Sequence, residues 1–144
     1  MSRTALRMLQ RKIEEDITQN NVDSSIISCR AILDKYPKNF ATYQLLGKAF
    51  LESPNLDLAE IVFDLILRID PDDFVSHIGK SYVAESKGDI VGAVDSIERA
   101  FELQPANEML QAEVKRLLKL KNGVEPAKVR LTRGSLIKMY LKGI

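Results

Sequence analysis

Three prolines at a constant interval of 34 residues constrain most strongly what this chain can fold into. Pro37, Pro71 and Pro105 each follow an apolar stretch, and an Asp or Asn lies two residues after each of them. Proline in a helix interior costs roughly 3 kcal/mol, because it lacks an N–H and clashes with the preceding turn. The interval therefore predicts a repeat of helices in which every proline lies between two helices.

The sequence aligns with itself as blocks 6–39, 40–73 and 74–107. Within a block, apolar residues recur at spacings of three and four, which is the period of an amphipathic helix. Breaks at 19–21, 53–55 and 87–89 divide each block into a pair of helices. The residues two places after the prolines are predicted N-caps, because their side-chain oxygens can accept the free N–H groups of the next helix; they are Asn39, Asp73 and Asn107.

The second block resembles the tetratricopeptide repeat family, whose 34-residue unit is a pair of antiparallel helices. The residues that carry the resemblance are Tyr43, Leu46, Gly47, Phe50, Ala59, Phe63 and Pro71. In the third block, Lys80 replaces the usual leucine, Ser81 the glycine and Ala84 the aromatic residue. The resemblance implies an all-α fold, an α-solenoid coiled as a right-handed superhelix of three helix hairpins, with a capping helix and a C-terminal helix.

The remaining sequence extends this organisation beyond the third block. We expect a repeat domain over 1–121 that includes a closing helix at 107–121, a connector at 122–131 and a helix at 132–144. The last segment has helical spacing through Leu136, Met139 and Tyr140. It looks like the first helix of a further repeat, which predicts either that the chain is part of a longer repeat protein or that this helix docks on its own stack or on a second molecule.

Composition and single residues argue against an enzyme. The chain is 45% hydrophobic and 28% charged, as in ordinary soluble proteins, and it has no apolar run long enough to span a membrane. Cys29 is the one cysteine, so no internal disulfide can form, and a cytoplasmic location is expected. His77, the one histidine, is expected to pack in the core. Neither a P-loop nor a GxGxxG or GxSxG motif occurs, so we predict a noncatalytic protein with no cofactor and no metal.

The resemblance also implies where a partner would bind, since the first helix of each hairpin lines the concave side in that family. In the first block the residues carried over by position are Gln10, Glu14 and Ile17. For the second and third blocks, the predicted groove residues are Gln44, Leu45, Lys48, Glu52, Val75, Ile78, Tyr82 and Glu85, with Gly79 beside them. Exposed Val75, Ile78 and Tyr82 would offer an apolar strip to a partner peptide or helix. In the alternative, the closing helix covers part of this strip.

Charge is unevenly distributed along the chain. Residues 1–107 contain 12 Lys and Arg against 17 Asp and Glu, whereas residues 108–144 contain 9 against 3. The basic surface is predicted at Lys115, Arg116, Lys119, Lys121, Lys128, Arg130 and Arg133. An acidic protein partner or a second copy of the chain, bound through 132–144, fits this asymmetry. The alternative function is a nucleic-acid-associated accessory protein, which the lack of interleaved aromatic residues disfavours.

Overall fold

The computed structural model describes residues 2–123, which form helices joined by short turns. The helices are α1 (Arg3–Thr18), α2 (Val22–Lys35), α3 (Phe40–Glu52), α4 (Leu56–Ile69), α5 (Phe74–Ser86), α6 (Ile90–Leu103) and α7 (Glu108–Lys121). No strand occurs among residues 2–123. The all-α prediction is therefore confirmed, and the predicted breaks at 19–21, 53–55 and 87–89 separate the two helices of each hairpin.

The helix starts reproduce the 34-residue interval. Residues 40, 74 and 108 begin α3, α5 and α7, while residues 22, 56 and 90 begin α2, α4 and α6. The fold is thus a helical repeat, in which α1 packs against α2 in one unit and α5 against α6 in the other. α7 covers the segment 107–121 that was predicted as a closing helix, and it begins one 34-residue interval after α5. Residues 132–144, predicted as a C-terminal helix, lie outside the described residues.

Two of the inner turns use a left-handed backbone. Asn20 has φ 64° and Gly88 has φ 82°, and each lies two residues before the next helix. Asn and Gly are the residues that tolerate this conformation best. The middle turn has Pro54 at the equivalent place, where the ring fixes a negative φ. There Ser53 ends α3 in an extended conformation instead.

Two of the three predicted N-caps bond as expected. Asn39 Oδ1 accepts from the Thr42 backbone N–H at 3.0 Å, and Asn107 Oδ1 accepts from the Leu110 N–H at 3.1 Å. Asp73 differs, because its carboxylate makes no capping bond to a backbone N–H. The Ser76 hydroxyl donates to this carboxylate instead. The hydroxyl at the same place after Asn39, that of Thr42, donates to the cap residue without replacing its backbone bond.

The Asn39 cap should contribute more to stability than the Asn107 cap. Asn39 Oδ1 also accepts from Thr42 Oγ1 at 2.7 Å and from Gln10 Nε2 at 3.1 Å, so it joins α1 to the start of α3. We expect Asn39→Ala to lower the free energy of unfolding by about 2 kcal/mol and Asn107→Ala by about 1 kcal/mol. Urea titrations of the two variants test this order. Equal losses would show that the Gln10 and Thr42 bonds contribute nothing beyond the cap.

The chain divides into two compact units, and the boundary lies within α4. Unit 1 ends at Val62 and contains α1, α2, α3 and the first part of α4. Its α1 packs against both α2 and α3, and α2 packs against α3. The fully buried residues that α1 and α2 contribute to the core are Ile13, Cys29 and Ile32, none more than 1% exposed.

Unit 2 begins at Phe63 and contains the rest of α4 with α5, α6 and α7. Phe63 is 0% exposed, and its ring lies over Gly79 so closely that a Cβ there would be 2.5 Å from two ring carbons. Ser81, which stands where the repeat pattern has glycine, is buried and donates to the Ala93 carbonyl at 2.7 Å. Lys80 reaches Asp64 at 2.6 Å. These contacts hold α5 between α4 and α6. None of the helices described for residues 2–123 is long and apolar enough to cross a membrane.

Candidate partner-binding surfaces

In unit 1, the residues predicted to face a groove divide into accessible and internal ones. Gln44 and Glu52 on α3 are half-buried, so part of each side chain meets solvent. Leu45 and Lys48 are only 3% and 6% exposed and belong to the interior. On α1, Ile17 is also buried. The side-chain amide of Gln10 is not directed into a groove. Its Nε2 donates to Asn39 Oδ1 at 3.1 Å and to Thr42 Oγ1 at 3.2 Å.

In unit 2, the expected exposed strip on α5 is corrected by the structure. Val75 is 6% exposed and Ile78 is 1% exposed, so both are core residues. Gly79 faces the Phe63 ring of α4. Tyr82 is half-buried and is the member of the strip whose side chain remains partly accessible. Glu85 is occupied by a guanidinium from α7, which lies beside α5 at this point.

A buried charged cluster joins α5 to α7. The Arg116 guanidinium donates to both carboxylate oxygens of Glu85, at 2.9 Å and 2.6 Å, and to both oxygens of Glu113, at 3.1 Å and 2.6 Å. The side chains of Arg116, Glu113 and Glu85 are 4%, 10% and 11% exposed. Burial by itself lowers the pKa of Arg116, but the hydrogen bonds and charges of Glu113 and Glu85 outweigh it and raise that pKa above its ordinary value.

The predicted basic surface is therefore smaller on α7 than expected. Lys115, Lys119 and Lys121 are exposed, whereas Arg116 is turned inward and neutralised. Lys128, Arg130 and Arg133 lie outside the described residues. Within the described part of α7, three lysines remain for an acidic partner or a phosphate backbone.

A recurring contact joins the backbone carbonyl of a separating proline to the first helix of the next block. In unit 1, the Tyr43 hydroxyl donates to the Pro37 carbonyl at 2.8 Å. In unit 2, His77 Nε2 lies 2.9 Å from the Pro71 carbonyl oxygen, so this ring supports the turn. Gln111 has the corresponding place on α7, and within residues 2–123 its side chain makes no hydrogen bond to Pro105.

An open cavity of about 350 Å³ lies on α6 and the turn that follows it. Its lining residues are Glu98, Phe101, Glu102 and Pro105. Phe101 is half-buried and Pro105 is exposed, as are the residues at the equivalent places of the earlier blocks. The cavity combines the apolar side chains of Phe101 and Pro105 with two carboxylates, of which Glu102 already accepts from Arg99 at 3.2 Å.

His77 and Cys29 are the residues most suited to catalysis, and both take part in packing or turn contacts. His77 contacts a backbone carbonyl, and Cys29 is 0% exposed, so that burial raises the pKa of its thiol from 9.0 to about 12. Among residues 2–123, no group of three or more His, Cys, Asp and Glu side chains is placed to hold a metal ion.

The raised pKa predicts an unreactive thiol. The thiolate is the reactive form, and three pKa units correspond to a roughly thousandfold smaller thiolate fraction at pH 8. We expect maleimide to label native Cys29 far more slowly than the same residue in urea, as measured by intact mass. The unfolded thiol ionises from about pH 9 and the folded one near pH 12, so its stabilising contribution is complete below pH 9 and is lost as pH rises from 9 to 12. Equal labelling rates in buffer and in urea would contradict this.

The charged cluster was not predicted from the sequence, although the residue spacing on α7 gives a signal for it. Leu110, Glu113 and Leu117 have the spacing of three and four that marks the buried side of α7. A carboxylate on that side requires a buried partner, which Arg116 supplies one turn later. Its second acceptor, Glu85, lies 31 residues away in sequence, and no local pattern connects the two.

Comparison with known proteins supports the fold. No protein-family model matches the chain, and no curated protein sequence matches it. A solved structure with a similar fold is a mutant O-GlcNAc transferase from Thermobaculum terrenum, with a TM-score of 0.72 and 20% sequence identity over 99% of this chain. This chain spans 27% of the length of that protein. The similarity is therefore one of fold.

Proposed function

We propose that this chain is a noncatalytic protein-interaction scaffold of the tetratricopeptide repeat type. The observation that carries the proposal is the common interval of 34 residues between the starts of α3, α5 and α7. Helices that repeat at this interval present equivalent surfaces in succession. Repeat proteins use such surfaces to bind extended partners. The partner class is a peptide or a helix of another protein.

The accessible groove residues support this mode of binding. In unit 1, Gln44 and Glu52 lie two turns apart on α3 and keep part of their polar side chains in solvent. In unit 2, Tyr82 offers a partly exposed ring on α5, and tyrosine is among the residues that most often dominate binding energy. Leu45, Val75 and Ile78 support these side chains from the interior and would not touch the partner.

The noncatalytic part of the proposal rests on the roles of two residues. The ring of His77 is engaged by the Pro71 carbonyl, which gives this potential base a structural task. Cys29 is held as a neutral thiol inside unit 1, where it is a poor nucleophile. Both residues therefore have packing roles, as expected in a scaffold.

Selection of peptides on the intact protein tests the proposal. Peptides from a random display library would be selected against the full chain, and their affinities measured by fluorescence anisotropy. We expect Tyr82→Ala to weaken peptides that bind unit 2 at least tenfold, since aromatic anchors in an interface contribute about 2 kcal/mol or more. Gln44→Ala with Glu52→Ala tests unit 1 separately. Ile78→Asp is unsuitable, because it would place a charge in the core.

The control changes side chains that are more exposed than the groove residues and lie away from the predicted groove. Met8 and Ile27 are 68% and 67% exposed on α1 and α2, so Met8→Ala with Ile27→Ala should leave peptide affinity unchanged. Circular dichroism confirms that both sets of variants remain folded. Selected peptides that bind the groove variant and the parent chain equally would overturn the groove mechanism.

Self-association through 132–144 is the second mode of the same proposed function. Light scattering of the full chain over a range of concentrations would reveal it as a mass that rises from one chain to two. The proposal gives the basic residues of α7 a role toward acidic protein surfaces. Salt-dependent binding of labelled RNA by Lys115, Lys119 and Lys121 would favour the nucleic-acid alternative instead.

A further inference from the structure

We propose that the outer side of α4 pairs with the same side of a second copy of this chain. Three of the seven large apolar side chains that are exposed within residues 2–123 lie on this helix: Ile61, Leu65 and Ile69, which are 55%, 37% and 57% exposed. Spacings of four residues place them in one row along a continuous helix. The row lies on a second helix and is separate from the groove residues of the first helices.

The inner side of α4 is apolar as well. Ala59, Val62, Phe63 and Ile66 are at most 5% exposed and belong to the cores of their units. A surface helix of a soluble protein normally has one apolar stripe, and a helix with apolar residues on further sides is covered there too. Single exposed apolar residues are common, whereas a contiguous row is typical of an interaction site. We therefore expect a partner to cover the row.

The arrangement of the row favours a second copy as this partner. The residues read Ile, Leu, Ile in either direction, with Leu65 at the centre. A two-fold axis beside Leu65 therefore sets Leu65 against Leu65 of the second copy, and Ile61 against Ile69 of the second copy, in an antiparallel pair. These contacts bring apolar side chains of similar size together and bury no polar atom of the row. The row is thus complementary to itself, as an isologous dimer requires.

Charges beside the row favour the same antiparallel pairing. Asp64 and Arg68 lie on one flank of Leu65; the Asp64 side chain contacts Lys80 and is still 45% exposed, and Arg68 is exposed. At 1.5 Å per residue, the two-fold axis brings Arg68 within about 3 Å of the level of Asp64 of the second copy. Symmetry forms this contact between opposite charges twice. A parallel pairing would instead set Arg68 level with Arg68, and Asp64 level with Asp64.

One pair of helices makes a small interface. It buries less than the roughly 1,200 Å² that stable complexes exceed, so the pairing belongs to the weak class that forms only at high protein concentration. Dilute unfolding titrations therefore measure the single chain, in which Leu65 is a surface residue.

Single cysteines in the full chain test the pairing, with diamide as the oxidant that joins two thiols in a disulfide. We expect Leu65→Cys to form a covalent dimer at least about tenfold faster than Val91→Cys, because the axis holds two copies of residue 65 in contact. Val91 is 55% exposed on α6, more than Leu65, and lies off the row. Cys29 is 0% exposed and gives no background. Non-reducing gel electrophoresis measures both rates.

Mixed variants test the direction of the helices. In the antiparallel pair Ile61 lies level with Ile69 of the second copy, whereas two copies of Ile61 are about 12 Å apart along the axis. An equimolar mixture of Ile61→Cys and Ile69→Cys should therefore give mainly the mixed dimer, identified by peptide mapping.

A charge variant tests the flank. Arg68→Asp in the Leu65→Cys chain should slow disulfide formation at least about threefold, because two favourable contacts become repulsive. Arg30→Asp changes an equally charged and exposed residue of unit 1 and should leave the rate unchanged.

Three results would overturn the proposal. The first is an equal rate for Leu65→Cys and Val91→Cys. The second is faster linkage of Ile61→Cys to itself than to Ile69→Cys, because the helices would then be parallel. The third is a dimer detected by light scattering that lacks this pattern of disulfides, since association would then use another surface, such as residues 132–144.

Discussion

Replacement of Arg116 by alanine should lower the free energy of unfolding by about 3–5 kcal/mol, the loss expected when a buried ion pair is left with one member. Glu113 is 8% exposed and receives two of its hydrogen bonds from this guanidinium. Without Arg116 its carboxylate would remain charged in a poorly solvated site, or take up a proton at a cost. Urea unfolding followed by circular dichroism measures the loss, and hydrogen exchange in α5 and α7 locates it.

Two further variants isolate the cause. Lys115→Ala, which removes the exposed neighbour of Arg116, should change stability by no more than about 0.5 kcal/mol. Arg116→Met with Glu113→Leu and Glu85→Gln should recover much of the loss, because no carboxylate of the cluster is then left without its guanidinium. A loss below about 1 kcal/mol for Arg116→Ala would mean that the cluster is more solvated than its geometry indicates.

The second large effect is expected at Phe63. Its side chain is 0% exposed, and truncation to alanine would leave a cavity between α4 and α5 in unit 2. Phe→Ala substitutions in cores cost about 3–5 kcal/mol, because lost transfer energy and cavity formation add. Leu65→Ala on the same helix is the control; Leu65 is 37% exposed and should lose less than about 1 kcal/mol.

Gly79 provides a reciprocal test of this contact. Alanine gains about 1 kcal/mol over glycine in a helix interior, whereas overpacking costs about 1–3 kcal/mol. With a Cβ only 2.5 Å from two carbons of a fully buried ring, we expect the clash to prevail and Gly79→Ala to destabilise the protein. In a Phe63→Leu background the same change should become neutral or stabilising. Additive effects in this double-mutant cycle would show that the two residues are not coupled.

Local chemistry allowed most of the helix boundaries to be predicted. Prolines cannot occupy a helix interior, and Asn or Gly favours a turn, so the breaks at 19–21, 53–55 and 87–89 follow from the residues at those positions. Asn39 and Asn107 cap helices through their side-chain oxygens, and Asn39 does so while also accepting from the Thr42 hydroxyl. Asp73 departs from the prediction, because its carboxylate accepts from the Ser76 hydroxyl and makes no bond to a backbone N–H.

Which residues of the first helices are buried depends on contacts between residues that are distant in sequence. Val75 and Ile78 have the spacing of a surface strip as readily as that of a core, and only the packing around α5 decides between them. In the sequence, Arg116 is one of several basic residues in a basic stretch. Only the structure shows that Glu85 lies beside it. The accessible residues Gln44, Glu52 and Tyr82 were all in the predicted set, but the sequence alone did not separate them from their buried neighbours.

Packing between helices that are neighbours along the chain has a kinetic consequence. In unit 1 the most distant packed pair is α1 with α3, and in unit 2 α5, α6 and α7 pack in order. Forming such contacts closes only short loops, and proteins with this topology fold within microseconds to milliseconds. Each unit could therefore acquire its native contacts while the ribosome is still adding the residues that follow it.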